Sequence, residues 1–92
     1  MSETAEIRLK RIYMRSWRRG MKEMDLILGK FADDELATLS PEVLDAYERI
    51  LDENDQDLYK WVNGSEPVPA EFAPMIKRIA LFHGILGESA PN

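Results

Sequence analysis

Arg18-Arg19-Gly20-Met21-Lys22-Glu23-Met24-Asp25 sets two adjacent guanidinium groups, a residue without a side chain and two carboxylates within eight positions. Arg19 and Glu23 stand four apart, so on a helix they share one face. Basic before acidic is the weaker order for such a pair. Gly20 costs a helix interior about 1 kcal/mol relative to alanine. Neither choice serves helix stability, which points to contact with something outside the helix. A plainer reading stands beside it. An exposed Arg19–Glu23 pair contributes under about 1 kcal/mol, and Gly20 serves equally well as a helix C-cap.

Other reactive chemistry is sparse. The chain has no cysteine, which excludes disulfides, thiolate metal sites and a Cys nucleophile. His83 is the only histidine and has no acid or nucleophile beside it, so it reads as a packing or surface residue. Asp55 and Asp57 have the alternation of cation ligands, yet the segment lacks the glycine and terminal Glu of a calcium loop. A cap-and-surface role is expected for them, and no metal. There is no Gly-rich phosphate loop, no catalytic carboxylate pair and no βαβ dinucleotide pattern. No catalytic residue is assigned, and the chain reads as a non-enzyme.

The elements that must position the Arg-Gly segment are helical. Leu9, Ile12, Tyr13, Ser16 and Trp17 recur at helical spacing, predicting a first helix from about residue 6 to 17 with both tryptophans, Trp17 and Trp61, in the core. Gly20 ends that helix or turns it sharply. A second helix is expected from about Gly20 to Lys30, burying Met24, Ile27, Leu28 and Phe31, with a bend at Gly29 before it resumes to Leu36. Ser40-Pro41-Glu42 is an N-cap, a first-turn proline and a dipole-matched acid, with Leu39 and Leu44 as a hydrophobic staple. The helix it starts runs from 41 to about 53 and ends in Asp52-Glu53-Asn54-Asp55, with acids at the unfavourable end of the dipole. Asn54 or Asp55 caps a fourth helix that stops at Asn63-Gly64. A loop over 65–69 follows, then a last helix from about Ala70 to Gly84 or Gly87, burying Phe72, Met75 or Ile76, Ile79, Phe82 and Leu86.

The expectation is an all-α, single-domain bundle of about five helices spanning 1–92, ordered over about 6–87 and frayed at 1–5 and 88–92. Ninety-two residues support one modest core. Net charge is −5, but residues 1–30 carry eight Lys/Arg against four Asp/Glu, a balance of +4, and residues 31–92 carry four against thirteen, a balance of −9. The basic end suits docking on an acidic protein surface or a solvated helix face. Nucleic acid is not expected, because the acidic remainder repels a phosphate backbone. No apolar run approaches the roughly 20 residues of a membrane span. The short acidic start resembles neither a secretory signal nor a transit peptide, and with the lack of cysteine this gives the bacterial cytoplasm as the expected location.

Three blocks carry a family resemblance. Arg11-Ile12-Tyr13-Met14-Arg15-Ser16 leading into Arg19-Gly20-Met21-Lys22-Glu23-Met24-Asp25, then Gly29-Lys30-Phe31, then Asp55-Gln56-Asp57-Leu58-Tyr59-Lys60-Trp61, resemble the succinate dehydrogenase assembly factor family over about residues 8–80. The resemblance implies an assembly chaperone that binds the flavoprotein subunit of succinate dehydrogenase, and also that of fumarate reductase in bacteria, and promotes covalent attachment of FAD. It implies no tightly bound cofactor in this chain, since FAD is joined to the partner. Arg19, Gly20 and Glu23 are then the partner-binding positions, flanked by Arg15, Arg18 and Asp25. Gly20 lets the partner approach the backbone, Arg19 offers a planar donor fork, and Glu23 accepts hydrogen bonds or orients Arg19. Met21 and Met24 beside the motif are expected to be exposed and to support a weak homodimer. Two alternatives are kept: a regulatory interaction module such as an antitoxin, and a weak FAD-binding carrier.

Overall fold

A computed structural model of the chain describes residues 3–84, which form five α-helices and one 3-10 turn. Helix α1 (Ala5–Trp17) starts one residue earlier than predicted, because the Thr4 hydroxyl accepts the Ile7 amide at 3.1 Å. It buries Ile12 and Ser16, with Leu9 and Trp17 half-buried and Tyr13 exposed. Helix α2 (Lys22–Glu35) runs straight through Gly29, and the 3-10 turn (Leu36–Thr38) continues it. The expected interruption is absent, since the helix is continuous across Gly29. Gly29 is needed for close approach instead: a Cβ there would collide with the Trp17 ring.

The Ser40 signal is realised in α3 (Pro41–Leu51), where the Ser40 hydroxyl accepts the Val43 amide at 3.3 Å and Pro41 opens the first turn. Asn54 accepts the Gln56 amide at 2.8 Å to start α4 (Asp55–Asn63), which ends on Gly64 in the left-handed region at φ 84°. Helix α5 (Ala73–Phe82) begins three residues later than predicted, after turns at Pro69 and Ala70, with Pro74 in its first turn. Leu86 and the expected frayed segment 88–92 lie outside the described residues.

Helices α1 and α2 form an antiparallel hairpin, with Trp17 over Gly29 and Tyr13 donating to Asp33 at 2.6 Å. Helix α5 runs antiparallel to α2, setting Arg78 near Glu35, Phe82 on Phe31 and His83 beside Ile27. Phe31 lies at the centre, 5.5 Å from the Tyr47 ring and 5.4 Å from that of Phe82. The buried Tyr47 hydroxyl joins three helices, sharing a 2.7 Å hydrogen bond with Ser16 and donating to the Leu28 carbonyl at 3.3 Å. Burial pushes its phenol up to about 12, so it stays neutral. Trp61 is half-buried and stacks on Phe72 at 5.6 Å. Met24 is fully buried and Met21 packs against the core. The methionine self-contact therefore loses its basis.

Candidate functional site

The Arg-Gly segment is the corner between α1 and α2. Arg18, at φ −120° and ψ 61°, takes the chain out of α1, and Met21 is extended before α2. Gly20 is therefore neither a helix C-cap nor a residue at positive φ. With a helix break between them, Arg19 and Glu23 share no face, and the Arg19–Glu23 pair expected from their spacing does not form.

Arg19 turns inward. Its Nε donates to Asp55 Oδ1 at 2.8 Å, Nη1 to the Leu51 carbonyl at 2.9 Å and Nη2 to the Glu53 carbonyl at 3.1 Å. Its side chain is 9% exposed and that of Asp55 14%. The planar fork read as an offer to a partner is already filled by this chain's own carboxylate and carbonyls. The backbone is held as firmly. The Arg19 amide donates to Asp25 Oδ1 and the Gly20 amide to Asp55 Oδ2, both at 2.6 Å. Asp25 is thus a clasp across the corner. Both oxygens of Asp55 accept from the corner.

Arg15 also points inward, to Asp52 Oδ1 at 2.9 Å and the Leu51 carbonyl at 3.0 Å. Two arginines therefore meet the last carbonyl of α3, where the helix leaves acceptors unsatisfied and the dipole is negative. Arg8 reaches Asp45 at 2.7 Å and Glu48 at 2.9 Å, and Arg11 reaches Glu48 at 2.6 Å. These contacts make one ladder in which Arg8, Arg11, Arg15 and Arg19 meet Asp45, Glu48, Asp52 and Asp55, offset by 37 residues and by 36 at the last rung. Helices α1 and α3 are accordingly parallel. Hydrogen bonds from Arg11, then from Arg8, outweigh burial and hold the Glu48 carboxyl below its ordinary range. Half of the basic residues read as a docking face are spent on this chain's own acids.

Arg18, Gly20, Lys22 and Glu23 remain exposed at the corner, together with Met14 and Leu26. Arg18, Lys22 and Glu23 have no ion-pair partner among the described residues. A shallow depression of about 190 Å³ beside them is lined by Met14, Arg15, Arg18 and Arg19. The six expected partner-binding residues thus divide. Arg18, Gly20 and Glu23 face outward; Arg19, Asp25 and half-buried Arg15 hold the corner from within. Sequence reasoning missed Asp55, although the matching spacings of the arginines and the acids carried the signal. His83 is a packing residue. Its Nε2 donates to the Ile27 carbonyl at 2.8 Å, and its ring meets Phe82 edge-on.

No helix among the described residues is long and apolar enough to cross a membrane. The family model described as flavinator of succinate dehydrogenase matches residues 10–83. Succinate dehydrogenase assembly factor 2, mitochondrial, of Mycosarcoma maydis is 39% identical over 72 residues, covering 78% of this chain and 30% of the relative. Its namesake from Aspergillus terreus is 43% identical over 75 residues, covering 78% and 25%. Assembly factor 2-A, mitochondrial, of Drosophila yakuba is 34% identical over 84 residues, covering 89% and 52%. The chain thus spans about a quarter to a half of these relatives' lengths. All three are named as mitochondrial, which overturns the expected bacterial cytoplasm; a lack of cysteine does not discriminate between those compartments. With four fifths of its length matched by that family model, the chain belongs to the family of flavinators of succinate dehydrogenase.

Proposed function

We propose that this domain is an assembly factor that binds the flavoprotein subunit of succinate dehydrogenase and promotes covalent attachment of FAD to it. The observation that carries the reading is the corner itself: an exposed glycine beside Arg18, Lys22 and Glu23, which form no ion pair among the described residues, on a backbone clasped by two carboxylates from behind. Gly20 presents bare backbone to the client. Glu23 accepts hydrogen bonds from it, and Arg18 contributes a cation at the rim. Arg19, Asp25 and Arg15 support that surface without touching the client.

FAD is the client's substrate in this reading, and the domain holds none of it tightly. Binding a prefolded corner lets the client lose little to ordering the assembly factor.

Capture of partners from native lysate, followed by in-gel flavin fluorescence of the captured protein, tests the reading. The expected result is a flavoprotein identified by mass as the succinate dehydrogenase subunit, with its covalent flavin reduced in a deletion strain. Unchanged covalent flavin in that strain, with no flavoprotein captured, removes the proposal.

A further inference from the structure

We propose that Asp55, which lies outside the Arg-Gly-x-x-Glu segment, is a positioning residue for the docking corner. The inference rests on the docking reading above and names the residue through which the corner's shape is set. One Asp55 oxygen takes the Arg19 Nε at 2.8 Å and the other takes the Gly20 amide at 2.6 Å. A single carboxylate therefore fixes both the inward turn of the Arg19 side chain and the direction of the exposed Gly20 peptide. A Cβ at position 20 would stand 3.3 Å from Asp55 Oδ2, so the absence of a side chain there protects this contact from behind as well as opening the front.

Asp55 is itself placed by a rigid element. It is the first residue of α4, directly after the Asn54 cap, and α4 is anchored through buried Leu58 and Val62. The corner thus takes its orientation from α4, across 35 residues of chain. An aspartate is suited to this work because both oxygens accept and neither donates. Asparagine offers one acceptor to two donors and turns an N–H₂ toward one of them. Glutamate keeps the charge opposite Arg19 but displaces the oxygens by one methylene.

The test uses the full chain and the flavoprotein subunit of succinate dehydrogenase, with Kd from calorimetry and amide exchange at Gly20 from NMR. In Asp55→Asn and Asp55→Glu, loss of the pin raises Gly20 exchange about tenfold and weakens the client about tenfold, since preorganisation is lost. Glu48→Gln, which opens the ladder at Arg8 and Arg11, two rungs from Asp55, is the control for stability. It lowers Tm by a comparable amount and leaves Gly20 exchange and client Kd unchanged. Equal weakening of the client by Glu48→Gln would reduce the Asp55 effect to general destabilisation and overturn the proposal. So would a wild-type Kd in a folded Asp55→Glu whose Gly20 amide exchanges fast. A wild-type chain that binds no flavoprotein removes the docking reading and this inference together; variants that bind like a competent wild type remove the inference alone.

Discussion

The indole of Trp17 lies across Gly29 of α2, in the space where any other residue would carry its Cβ. This contact closes the α1–α2 hairpin immediately before the corner at residues 18–21. It also explains why a glycine that weakens a helix interior sits in the middle of a continuous helix.

Gly29→Ala is predicted to destabilise the domain by about 2 kcal/mol. Displacing the ring costs up to about 3 kcal/mol through overpacking, which exceeds the gain of about 1 kcal/mol in helix propensity. Urea denaturation with Trp fluorescence reads both the loss and the displaced indole. A variant as stable as wild type, with unchanged fluorescence, would contradict the packing argument.

Arg19→Ala and Glu23→Ala are expected to part company. Removing Arg19 leaves Asp55 and the Leu51 and Glu53 carbonyls without their shared donor, a loss of about 2–4 kcal/mol for a largely buried pair. Exposed Glu23 has no ion-pair partner among the described residues, so its truncation stays within about 0.5 kcal/mol. Both variants lose client flavinylation, but only Arg19→Ala lowers Tm. Equal Tm values for the two would show that Arg19 is not a support.

Acid should loosen the ladder. Because the Glu48 carboxyl titrates below its ordinary value of 4.5 when folded, the unfolded chain binds its proton first as pH falls. The stability that Glu48 contributes is therefore fully present above about pH 4.5 and is lost as pH drops through the lower folded value. Denaturation midpoints between pH 6 and pH 3 are expected to fall less steeply in Glu48→Gln, and parallel profiles would refute this. Added salt should also lower wild-type stability more than that of Glu48→Gln.

Tyr47→Phe removes the hydroxyl that links Ser16 to the Leu28 carbonyl in the core. The expected cost is about 1–2 kcal/mol, because buried groups lose a partner while Ser16 keeps only its bond to Ile12. Thermal unfolding of the variant alone and with Ser16→Ala measures it, and the two costs should not add.

Helix number and type were readable from apolar spacing, and α1, α3 and α4 also carry a capping side chain at their start. Ser40-Pro41, Asn54 and Gly64 act on amides and carbonyls within a few residues, so neighbours suffice to predict them. Gly29 misled the reading, since its reason is Trp17, twelve positions away and on another helix. The corner was located correctly from Gly20, yet the direction of Arg19 was not readable there. Four-residue spacing implies a shared face only on an unbroken helix, and Arg18 breaks it.

By itself the sequence determined an all-α domain, its strongly capped helix starts, and a charge asymmetry with a basic first third and an acidic remainder. Only the tertiary structure decided what those charges do. Acids at the C-terminal end of α3 oppose its dipole when the helix is considered alone. Parallel packing of α1 brings Arg15 and Arg19 onto that end, and the unfavourable cluster becomes the receptor for the corner's own arginine. Charge sign is local information, but which charge meets which depends on helix packing. That packing leaves Arg18, Gly20, Lys22 and Glu23 exposed at the corner, with no ion pair to Arg18, Lys22 or Glu23 among the described residues.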